Sequence, residues 1–324
     1  MSAILGIDIA KKKFDAALMR NGKFKTKVFD NSLTGFTALT AWLKNLNVDK
    51  MHICMEATGS YYESLALYLS SSGHLVSVIN PFQIKSFGQS MLSRTKTDKA
   101  DARLIAKFCE AFNPPYWEPD PPEIRTLRDL GRRRDALINM RTQEMNREPA
   151  ESSRVIKSIR TILEILDNEI EEIAKLIRDH INSHPDLKHK SDLLRTIPGV
   201  GDVTIEAVLS EVNGFEKFTS AAQVVSYMGL SPREKSSGSS VRGKAHICKT
   251  GNKRLRKVLF MPAMVAIQHN PAVKALYDRL KAKSKNGFII ACACMRKLMH
   301  IIFGVIKNNQ PFDPCLHLIK SGLT

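Results

Sequence analysis

The sequence predicts an α/β domain at the N-terminus, then a segment of long paired helices, then a mainly α-helical C-terminal domain. Three observations support this prediction. Strand and helix patterns alternate over the first third of the chain, a proline-rich stretch interrupts them at residues 113–122, and a strict apolar repeat follows. The 324 residues suffice for two domains of about 150 residues and a connector. We place the boundaries at residues 1–122, 123–189 and 190–324.

The first domain begins with three strand-like runs. "AILGIDIA" is apolar and β-rich, and "KFDAALMR" and "KFKTKVFD" flank the dipeptide "NG", a strong hairpin signal. Helix and strand patterns then alternate from "GFTALTAWLKNL" to "HLVSVINP", and a helix covers "DARLIAKFCEAF". Three antiparallel strands followed by alternating helices and strands resemble the RNase H-like (RuvC-like) fold. The order of elements alone also suits other α/β folds.

The proline-rich stretch "NPPYWEPDPP" breaks helices and marks a boundary or a wrap-around loop. The basic helix "EIRTLRDLGRRRDALINMRTQEMNR" follows it, with arginines on several faces. An ordinary core helix does not need this distribution, so we predict phosphate contacts for Arg132, Arg133 and Arg134. The alternative is a solvated charged face.

A coiled-coil pattern follows the basic helix. Its apolar residues are separated by 3, 4, 3, 4, 3 and 4 positions: Ile156, Ile159, Leu163, Leu166, Ile170, Ile173 and Ile177. This spacing is that of an a/d seam over about three heptads, with charged residues between. We favour pairing with another helix, in the same chain or between subunits. A single amphipathic helix packed on its own domain would show a similar stripe.

The C-terminal domain opens with "LLRTIPGVGDVTIEAVLSEV", in which a glycine-containing turn joins two helical patterns. This turn resembles the hairpin of a helix-hairpin-helix motif, which contacts nucleic-acid backbone without reading sequence. Gly199 and Gly201 would let the backbone approach a phosphate at the start of the second helix. A tight turn between two packed helices is the alternative.

Composition indicates a polyanionic partner. The chain has 49 Lys and Arg against 32 Asp and Glu, a net charge of +17 and a pI of about 9.7. Nucleic acid is the first candidate because neutralised phosphates release counterions. An anionic membrane surface is less suitable, since the N-terminus does not read as a signal peptide and no stretch reads as a membrane span. We expect a cytoplasmic protein without a membrane partner, and reduced, mostly buried cysteines because the six are scattered.

Four acids stand out by position. Asp8 lies inside an apolar strand, where an unpaired charge costs several kcal/mol. Glu56 ends a later strand, and Asp98 and Asp101 are three residues apart on one helical face. In an RNase H-like sheet these positions converge at one edge, where four carboxylates would bind one or two Mg²⁺ ions. Taken singly, Asp98 is also a candidate N-cap, and Asp101 a candidate surface ion pair with Lys99 or Arg103.

A basic, serine-rich segment lies in the last third. From Ser231 to Phe260 there are nine Lys or Arg residues and one acid, Glu234. Glycines and small hydroxyl residues come first, and a basic run leads into an apolar helix. By chemistry alone this segment is a flexible loop with a phosphate-binding patch, or the site of a nucleophilic serine.

Two groups of sequence blocks resemble one family. "GIDIAKKKFDAAL", "ICMEATGSYYE", "VINPFQIKSF" and "TKTDKADARLIAKF" are similar to successive blocks of the DEDD-type insertion-sequence transposases, which are bridge-RNA-guided recombinases. The metal-binding acids of that family correspond here to Asp8, Glu56, Asp98 and Asp101. "YMGLSPR" and "SGSSVRGKAHICKTGNKRLR" are similar to its C-terminal block. The catalytic serine of that block corresponds here to Ser237.

The resemblance implies a mechanism and partners. Serine attack on phosphorus would form a phosphoserine ester, which a DNA 3′-hydroxyl can later reverse, and Mg²⁺ would activate the serine. Arg242, Lys244 and Lys249 are candidates to bind phosphate, with Lys253 and Arg254 beyond them. The implied partners are donor DNA, target DNA and a guide (bridge) RNA. The implied assembly is a homodimer that pairs into a tetramer, with acids and serine from different subunits.

Two other functions suit parts of the sequence. A metal-dependent nuclease or Holliday junction resolvase with an RNase H-like fold would use water as the nucleophile, and Ser237 would only contact DNA. A non-catalytic nucleic-acid-binding protein would need only the charge, the hairpin and the paired helices. The second alternative leaves Asp8 unexplained.

Overall fold

The computed structural model describes residues 3–48, 50–57, 59–91, 97–148, 153–233, 236–237, 241–242 and 246–314. The chain forms two compact units, Met1–Pro119 and Asp120–Thr324. The segment 123–189, which the sequence analysis separated, lies in the second unit.

The first unit contains a mixed five-stranded sheet. Its strands are β1 (Ile4–Ile9), β2 (Lys13–Arg20), β3 (Lys23–Asp30), β4 (His52–Glu56) and β5 (Leu75–Ile79). They lie in the order β3-β2-β1-β4-β5, with β1 to β3 antiparallel and β4 and β5 parallel to β1. This order and these directions are those of an RNase H-like sheet. The predicted fold of the first domain is confirmed.

Local sequence signals explain the turns and helix starts of this unit. Asn21 and Gly22 both have positive φ, at 52° and 74°, as the predicted two-residue hairpin requires. Side-chain caps at Ser32, Asn80 and Thr97 accept hydrogen bonds from the first turns of their helices. The helices are α1 (Leu33–Lys44), α2 (Glu63–Ser71), α3 (Pro81–Ser90) and α4 (Asp98–Phe112).

The proline-rich stretch covers an edge of the sheet. The amide of Trp117 donates to the carbonyl of Val76 in β5 at 2.7 Å, and the Ser77 hydroxyl donates to the carbonyl oxygens of Pro114 and Pro115. Prolines cannot extend a ladder, so they end pairing along this edge. The predicted wrap-around loop is therefore confirmed.

Helix α4 packs directly on the middle of the sheet. It contacts β1, β2 and β4, and its closest approach is at Gly6 of β1. A Cβ atom at Gly6 would overlap the carbonyl oxygen of Ala102 and the amide nitrogen of Ala106. Glycine is therefore required here by the close packing of backbone on backbone.

One cysteine prediction is wrong. Cys54 in β4 and Cys109 in α4 are joined in a disulfide, with their Cα atoms 6.0 Å apart. The two residues are 55 positions apart in the sequence, so their spacing carried no signal of a pair. The packing of α4 on β4 brings them together. Cys248, Cys292 and Cys294 are free.

The second unit is mainly helical. Its helices are α5 (Pro122–Arg147), α6 (Ser153–Ser183), α7 (Pro185–Arg195), α8 (Asp202–Val212), α9 (Ala221–Tyr227), α10 (Lys253–Val258), α11 (Phe260–His269), α12 (Pro271–Ala282) and α13 (Gly287–Asn308). Two short antiparallel pairs join α9 to α10: β6 (Pro232–Arg233) with β9 (His246–Ile247), and β7 (Ser236–Ser237) with β8 (Val241–Arg242).

Helices α5 and α6 form an antiparallel pair. Arg160 binds Glu148 at 2.7 Å near one end, Arg141 binds Asp167 in the middle, and the ring of His180 bonds to the carbonyl of Glu123 at 2.8 Å near the other. Three residues of the predicted seam are buried: Ile159, Leu166 and Ile177. The seam of α6 therefore has a partner helix in the same chain.

Helix α13 bears on the expectation about membrane spans. It is long and apolar enough to cross a membrane by length and composition, but Arg296 and Lys297 interrupt its uncharged run, so the expectation that no uncharged stretch of about 18 apolar residues occurs still holds. However, 56% of its most apolar window is buried inside the second unit, where Leu298, Met299 and Ile302 are fully buried. The core helix of a soluble protein passes the same test, and the predicted role of "ACACMRKLMHIIFGVI" as a buried helix is confirmed.

Replacing Gly6 by alanine tests the packing of α4 on β1. The added methyl group meets backbone atoms, which cannot rotate away, so we expect Gly6→Ala to lower the free energy of unfolding by about 3 kcal/mol. Urea unfolding measures the change. Gly287→Ala is the matched control, because a Cβ atom there meets nothing within 4 Å. Equal stability of the two variants would contradict the packing.

Candidate active site

Four acidic residues lie at one edge of the sheet in the first unit. Asp8 lies near the carboxyl end of β1, and Glu56 is the last residue of the parallel neighbour β4. Asp98 is the first residue of α4 and Asp101 lies in the same first turn. The N-terminus of α4 and the ends of β1 and β4 therefore place the four predicted acids close enough for the charges of the other three to raise the pKa of Asp8.

The electrostatics of Asp8 show an excess of negative charge in this cluster. Burial raises the pKa of Asp8 to about 6, with further increases from the charges of Asp101, Glu56, Asp98 and Asp15, in that order. Desolvation and like charges both disfavour the ionised carboxylate. A cation placed among these groups would favour the ionised carboxylate and so oppose both effects.

Two residues of the cluster were missed by the sequence analysis. Asp15 of β2 lies directly opposite Asp8 in the antiparallel ladder and is 8% exposed, and burial raises its pKa. The Lys13 ammonium lies 2.9 Å from an oxygen of Asp98 and 3.9 Å from one of Asp15. The hydrogen bond from Lys13 holds the pKa of Asp98 below its usual range. The "NG" turn sets only the register of β2 with β3, so no sequence signal showed that Asp15 would lie opposite Asp8.

The start of α4 decides between two roles for Asp98. The N-cap is Thr97, whose hydroxyl accepts a hydrogen bond from the amide of Ala100 at 3.2 Å. The alternative role of Asp98 as the N-cap is therefore wrong. Aspartates in a first helical turn also interact favourably with the helix dipole. That interaction accounts for acids at this helix end, but it does not account for Asp8 and Glu56.

The donor set fits a hard divalent cation. Carboxylate oxygens are the ligands that Mg²⁺ prefers, and Asp8, Glu56, Asp98 and Asp101 would hold it. Burial and the neighbouring acids together raise the pKa of Asp8, and such an ion would neutralise the excess negative charge. When bound, the ion would supply Lewis acidity at a phosphoryl oxygen.

The predicted serine lies in a nested pair of hairpin ladders in the second unit. Ser237 pairs with Val241 and Ser236 pairs with Arg242, inside the outer pair of β6 and β9. Within this segment, residues 232–233 thus pair with 246–247, and residues 236–237 pair with 241–242. The side chains of Ser236, Ser237 and Arg242 lie outside the described part of the chain, and so do the whole of Lys244, Ser239 and Ser240.

The outer ladder is anchored on the helices around it. The amide of Cys248 donates to the carbonyl of Ser231, and that of Lys249 to the carbonyl of Gly229. Asn252 caps α10, and its side-chain amide donates to Glu211 of α8 at 2.7 Å. The residues that precede and follow the serine-bearing segment are therefore held together by hydrogen bonds, and we call them the base of this segment.

Two of the predicted phosphate-binding arginines have structural partners instead. Arg134 is 5% exposed and donates to Glu206, a fully buried carboxylate, at 2.7 Å. Arg254 donates to the same carboxylate at 2.9 Å and to Asp135 at 2.6 Å. These contacts join α5, α8 and α10 in the core of the unit. The assignments of Arg134 and Arg254 to nucleic-acid contact are therefore wrong, because buried ionised groups need partners.

Other predicted basic residues are on the surface. Arg133, Lys249 and Lys253 are exposed, and Arg132 is 44% exposed with its Nε 3.9 Å from Glu211. The helical period explains why neighbours such as Arg133 and Arg134 differ. Successive positions point about 100° apart, so one faces solvent while the next faces the core.

The glycine-containing turn, which the sequence likened to the hairpin of a helix-hairpin-helix motif, joins α7 to α8. Gly199 has φ 96°, and a Cβ atom there would contact Pro262 and Ala266 of α11. Gly201 caps α8, and no atom lies within 4 Å of where its Cβ would be. Gly199 therefore serves packing, while the exposed backbone at Gly201 is open to a phosphate.

The strand order and the acidic edge define the class of protein: an RNase H-like domain of the DEDD type, with a second helical unit. Residues 5–149 match a family of DEDD transposases of the IS110 type, described as transposase. Residues 191–278 match the transposase family IS116/IS110/IS902. The chain belongs to the IS110 family of transposases.

Full-length relatives agree with this assignment. The pilin gene-inverting protein of Moraxella bovis is 36% identical over 316 residues, 97% of this chain and 98% of the relative. The transposase for insertion sequence element IS1328 of Yersinia enterocolitica is 25% identical over 352 residues, 96% of this chain and 98% of the relative. The chain is thus a DNA-modifying enzyme of the transposase class, with DNA as its substrate.

A solved structure was also similar to part of the chain. Thermus thermophilus RuvC in complex with a Holliday junction substrate covers 34% of this chain and 96% of its own, at 12% identity and a TM-score of 0.27. The fold assignment does not depend on this match, because the order and direction of the five strands are sufficient.

The acidic cluster predicts a pH-dependent response to Mg²⁺. The folded-state pKa of Asp8, about 6, lies above its ordinary value of 3.8. Its contribution to stability is therefore present below pH 3.8 and is lost as the pH rises through about 6. We expect Mg²⁺ to raise the melting temperature more at pH 7.5 than at pH 5. At 100 times its Kd the ion would add about 2.7 kcal/mol.

Thermal unfolding with and without Mg²⁺ at both pH values measures this response. Asp8→Asn should abolish most of the difference, whereas Glu110→Gln, an exposed acid of α4, should leave it intact. An equal effect of Mg²⁺ at the two pH values, or on wild type and Asp8→Asn, would exclude the cluster as the metal site.

The two neighbouring arginines of α5 should differ in their effects. Arg134→Ala removes one partner of the buried Glu206, so we expect a loss of about 3–5 kcal/mol in unfolding free energy. Arg133→Ala should change stability by less than about 0.5 kcal/mol. It should instead weaken nucleic-acid binding and reduce the slope of log K against log salt by about 1. Urea unfolding and fluorescence anisotropy measure the two effects, and a stable Arg134→Ala would contradict the burial.

Proposed function

We propose that this transposase is an RNA-guided recombinase that exchanges DNA strands through a phosphoserine intermediate. Ser237 is the nucleophile, and Mg²⁺ is held by Asp8, Glu56, Asp98 and Asp101. The observation that carries the proposal is the surplus of negative charge around Asp8, whose pKa is raised to about 6 by burial and its acidic neighbours. A protein that only bound nucleic acid would not benefit from this costly cluster.

The chemistry accounts for the presence of both an acid set and a serine. The Ser237 hydroxyl attacks phosphorus, its Oγ–P bond forms, and the bond from phosphorus to the DNA 3′-oxygen breaks. The serine proton leaves, and the released 3′-oxygen takes up a proton. A 3′-hydroxyl from a second strand then attacks the phosphoserine and frees the serine. The number of phosphate ester bonds is unchanged, so no energy source is needed to reseal the DNA.

The serine requires activation because its hydroxyl is a poor nucleophile at neutral pH. The acid set would hold the ion that supplies Lewis acidity, while Lys13 offsets part of the charge at Asp98. Lys249 and Lys253 are exposed where the chain passes from β9 into α10, at the base of the serine segment, and they would bind phosphates there. Arg242 and Lys244 remain candidates for the same role.

Exposed basic groups support a second nucleic-acid partner, which we propose is a guide RNA alongside donor and target DNA. Lys23, Lys25 and Lys27 are exposed on the edge strand β3. Alternate residues of a strand are about 6.8 Å apart on one face. That row would suit successive phosphates of a nucleic-acid backbone.

We also propose a homodimer that pairs into a tetramer in the cytoplasm. Helix α6 carries a second apolar set besides the seam that packs on α5. Its members are 41–57% exposed: Val155, Ile162, Ile165 and Leu176. Large apolar side chains exposed along one long helix are typical of an interface between protein molecules.

The deciding experiment looks for a covalent protein–DNA adduct. Purified protein, Mg²⁺, the RNA that copurifies and DNA carrying the junction of the element are incubated, and the mixture is denatured and analysed by gel. We expect an adduct with wild type, and a loss of about a thousandfold or more in Ser237→Ala and Asp98→Asn. Ser236→Ala and Glu110→Gln are the matched controls and should retain the adduct.

The other outcomes identify the alternatives. Cleaved DNA without an adduct, unchanged by Ser237→Ala, would replace the recombinase with a metal-dependent nuclease or junction resolvase. Binding that survives Asp8→Asn and Asp98→Asn, with no strand cleavage by wild type, would leave a non-catalytic nucleic-acid-binding protein. RNase treatment that leaves the reaction unchanged would remove the guide RNA from the proposal.

A further inference from the structure

The disulfide between Cys54 and Cys109 joins two elements that carry acids of the candidate metal site. Cys54 lies two residues before Glu56 in β4, and Cys109 lies two turns beyond Asp101 in α4. Both cysteines are buried, at 0% and 1% exposure. The bond therefore closes a loop of 55 residues and connects β4 to α4 inside the core.

Hydrogen bonds hold His52 beside the two cysteines. The Ser77 hydroxyl lies 3.1 and 2.9 Å from the carbonyl oxygens of Pro114 and Pro115. Its Oγ also lies 2.7 Å from His52 Nε2. Burial lowers the pKa of His52, which keeps this ring neutral.

The disulfide favours sulfur redox chemistry over metal binding. The ligand atoms of His52, Cys54 and Cys109 all lie within 4.8 Å of one another, as in a thiolate–imidazole metal site. However, the two sulfurs are bonded to each other, so neither is a thiolate that could bind a metal.

A cavity provides access to one of the two cysteines. Its volume is about 560 Å³, and Cys109 and His52 line it together with Asn113 and Tyr116. Ile4 and Leu75, the first residues of β1 and β5, also line it. The cavity therefore opens at the amino ends of the parallel strands, opposite the edge that holds Asp8 and Glu56. A small oxidant would reach Cys109 without entering the acidic site.

We propose that Cys54 and Cys109 are a reversible redox pair, closed by an oxidant of the peroxide class and opened by a dithiol reductant. The Cys109 sulfur attacks the peroxide, its S–O bond forms and the O–O bond breaks, which releases water or an alcohol. The Cys54 sulfur then attacks the sulfenic acid, the S–S bond forms and a second water leaves. Two thiols lose two electrons and two protons to one peroxide. A dithiol returns them by exchange.

The bond fixes α4 on the sheet independently of the serine mechanism. In the reduced chain only packing and hydrogen bonds hold the helix that bears Asp98 and Asp101 against β4. In the oxidised chain a covalent link adds to them. Closing a loop of this length restricts the unfolded chain, so the oxidised first unit should be markedly more resistant to heat.

The test compares the full-length protein after treatment with hydrogen peroxide and after treatment with dithiothreitol. Free thiols are alkylated and peptides are mapped without reduction, and thermal unfolding is followed in parallel. We expect oxidation to remove two alkylatable thiols and to yield a peptide linking Cys54 to Cys109. The melting temperature of the oxidised protein should exceed that of the reduced protein by on the order of 10 °C.

Variants separate this pair from the other cysteines. Cys54→Ala and Cys109→Ala should show no redox-dependent melting, whereas Cys248→Ala, at a partly exposed free cysteine, should behave as wild type. The wild-type comparison needs no variant, so a folding defect in either alanine variant leaves the test intact. Alkylation of both residues after oxidation, linkage to another cysteine, or equal melting of the two wild-type forms would overturn the proposal.

Discussion

The contact of helix α4 with strand β1 through Gly6 is the constraint on which the first unit depends. The helix lies so close that a Cβ atom at this position would overlap its backbone. The same packing places the first turn of α4 at the carboxyl ends of β1 and β4. Asp98 and Asp101 reach Asp8 and Glu56 for this reason, although more than 40 residues separate the two pairs in the chain.

The acidic edge is a local exception in a strongly basic protein. Bringing like charges together, partly burying Asp8 and burying Asp15 oppose folding, and the raised pKa values of both acids reflect this cost. Lys13 offsets part of it through its contact with Asp98 at 2.9 Å. Clusters of like-charged side chains that lower the stability of the folded protein are typical of functional sites, where a bound ligand supplies the opposite charge.

In the second unit, by contrast, buried charges of opposite sign are paired and stabilise the fold. Glu206 is fully buried, but Arg134 and Arg254 bind it from two other helices, so the network holds α5, α8 and α10 in one arrangement. The base of the serine segment is anchored on the same helices through Asn252 and Glu211. A rigid base of this kind would keep a nucleophile in a defined position while leaving the rest of the surface free to bind nucleic acid.

The sequence by itself determined the elements and the chemistry that depends on local pattern. The "NG" hairpin, the alternating strands and helices, the long helix with its 3,4 spacing, and the positions of the four acids were all predictable, because period and turn chemistry act over a few residues. Family resemblance added Ser237, whose neighbours offer the same hydroxyl group. Its side chain lies outside the described residues, so that assignment stays a prediction.

Only the tertiary structure decided which residues become partners across long separations. It placed Asp15 opposite Asp8, joined Cys54 to Cys109, and turned Arg134 and Arg254 from candidate phosphate ligands into partners of a buried carboxylate. Arginines on several faces of a helix look alike in a sequence. Their roles differ because burial depends on what packs against each face, and packing between distant segments is set by the whole fold.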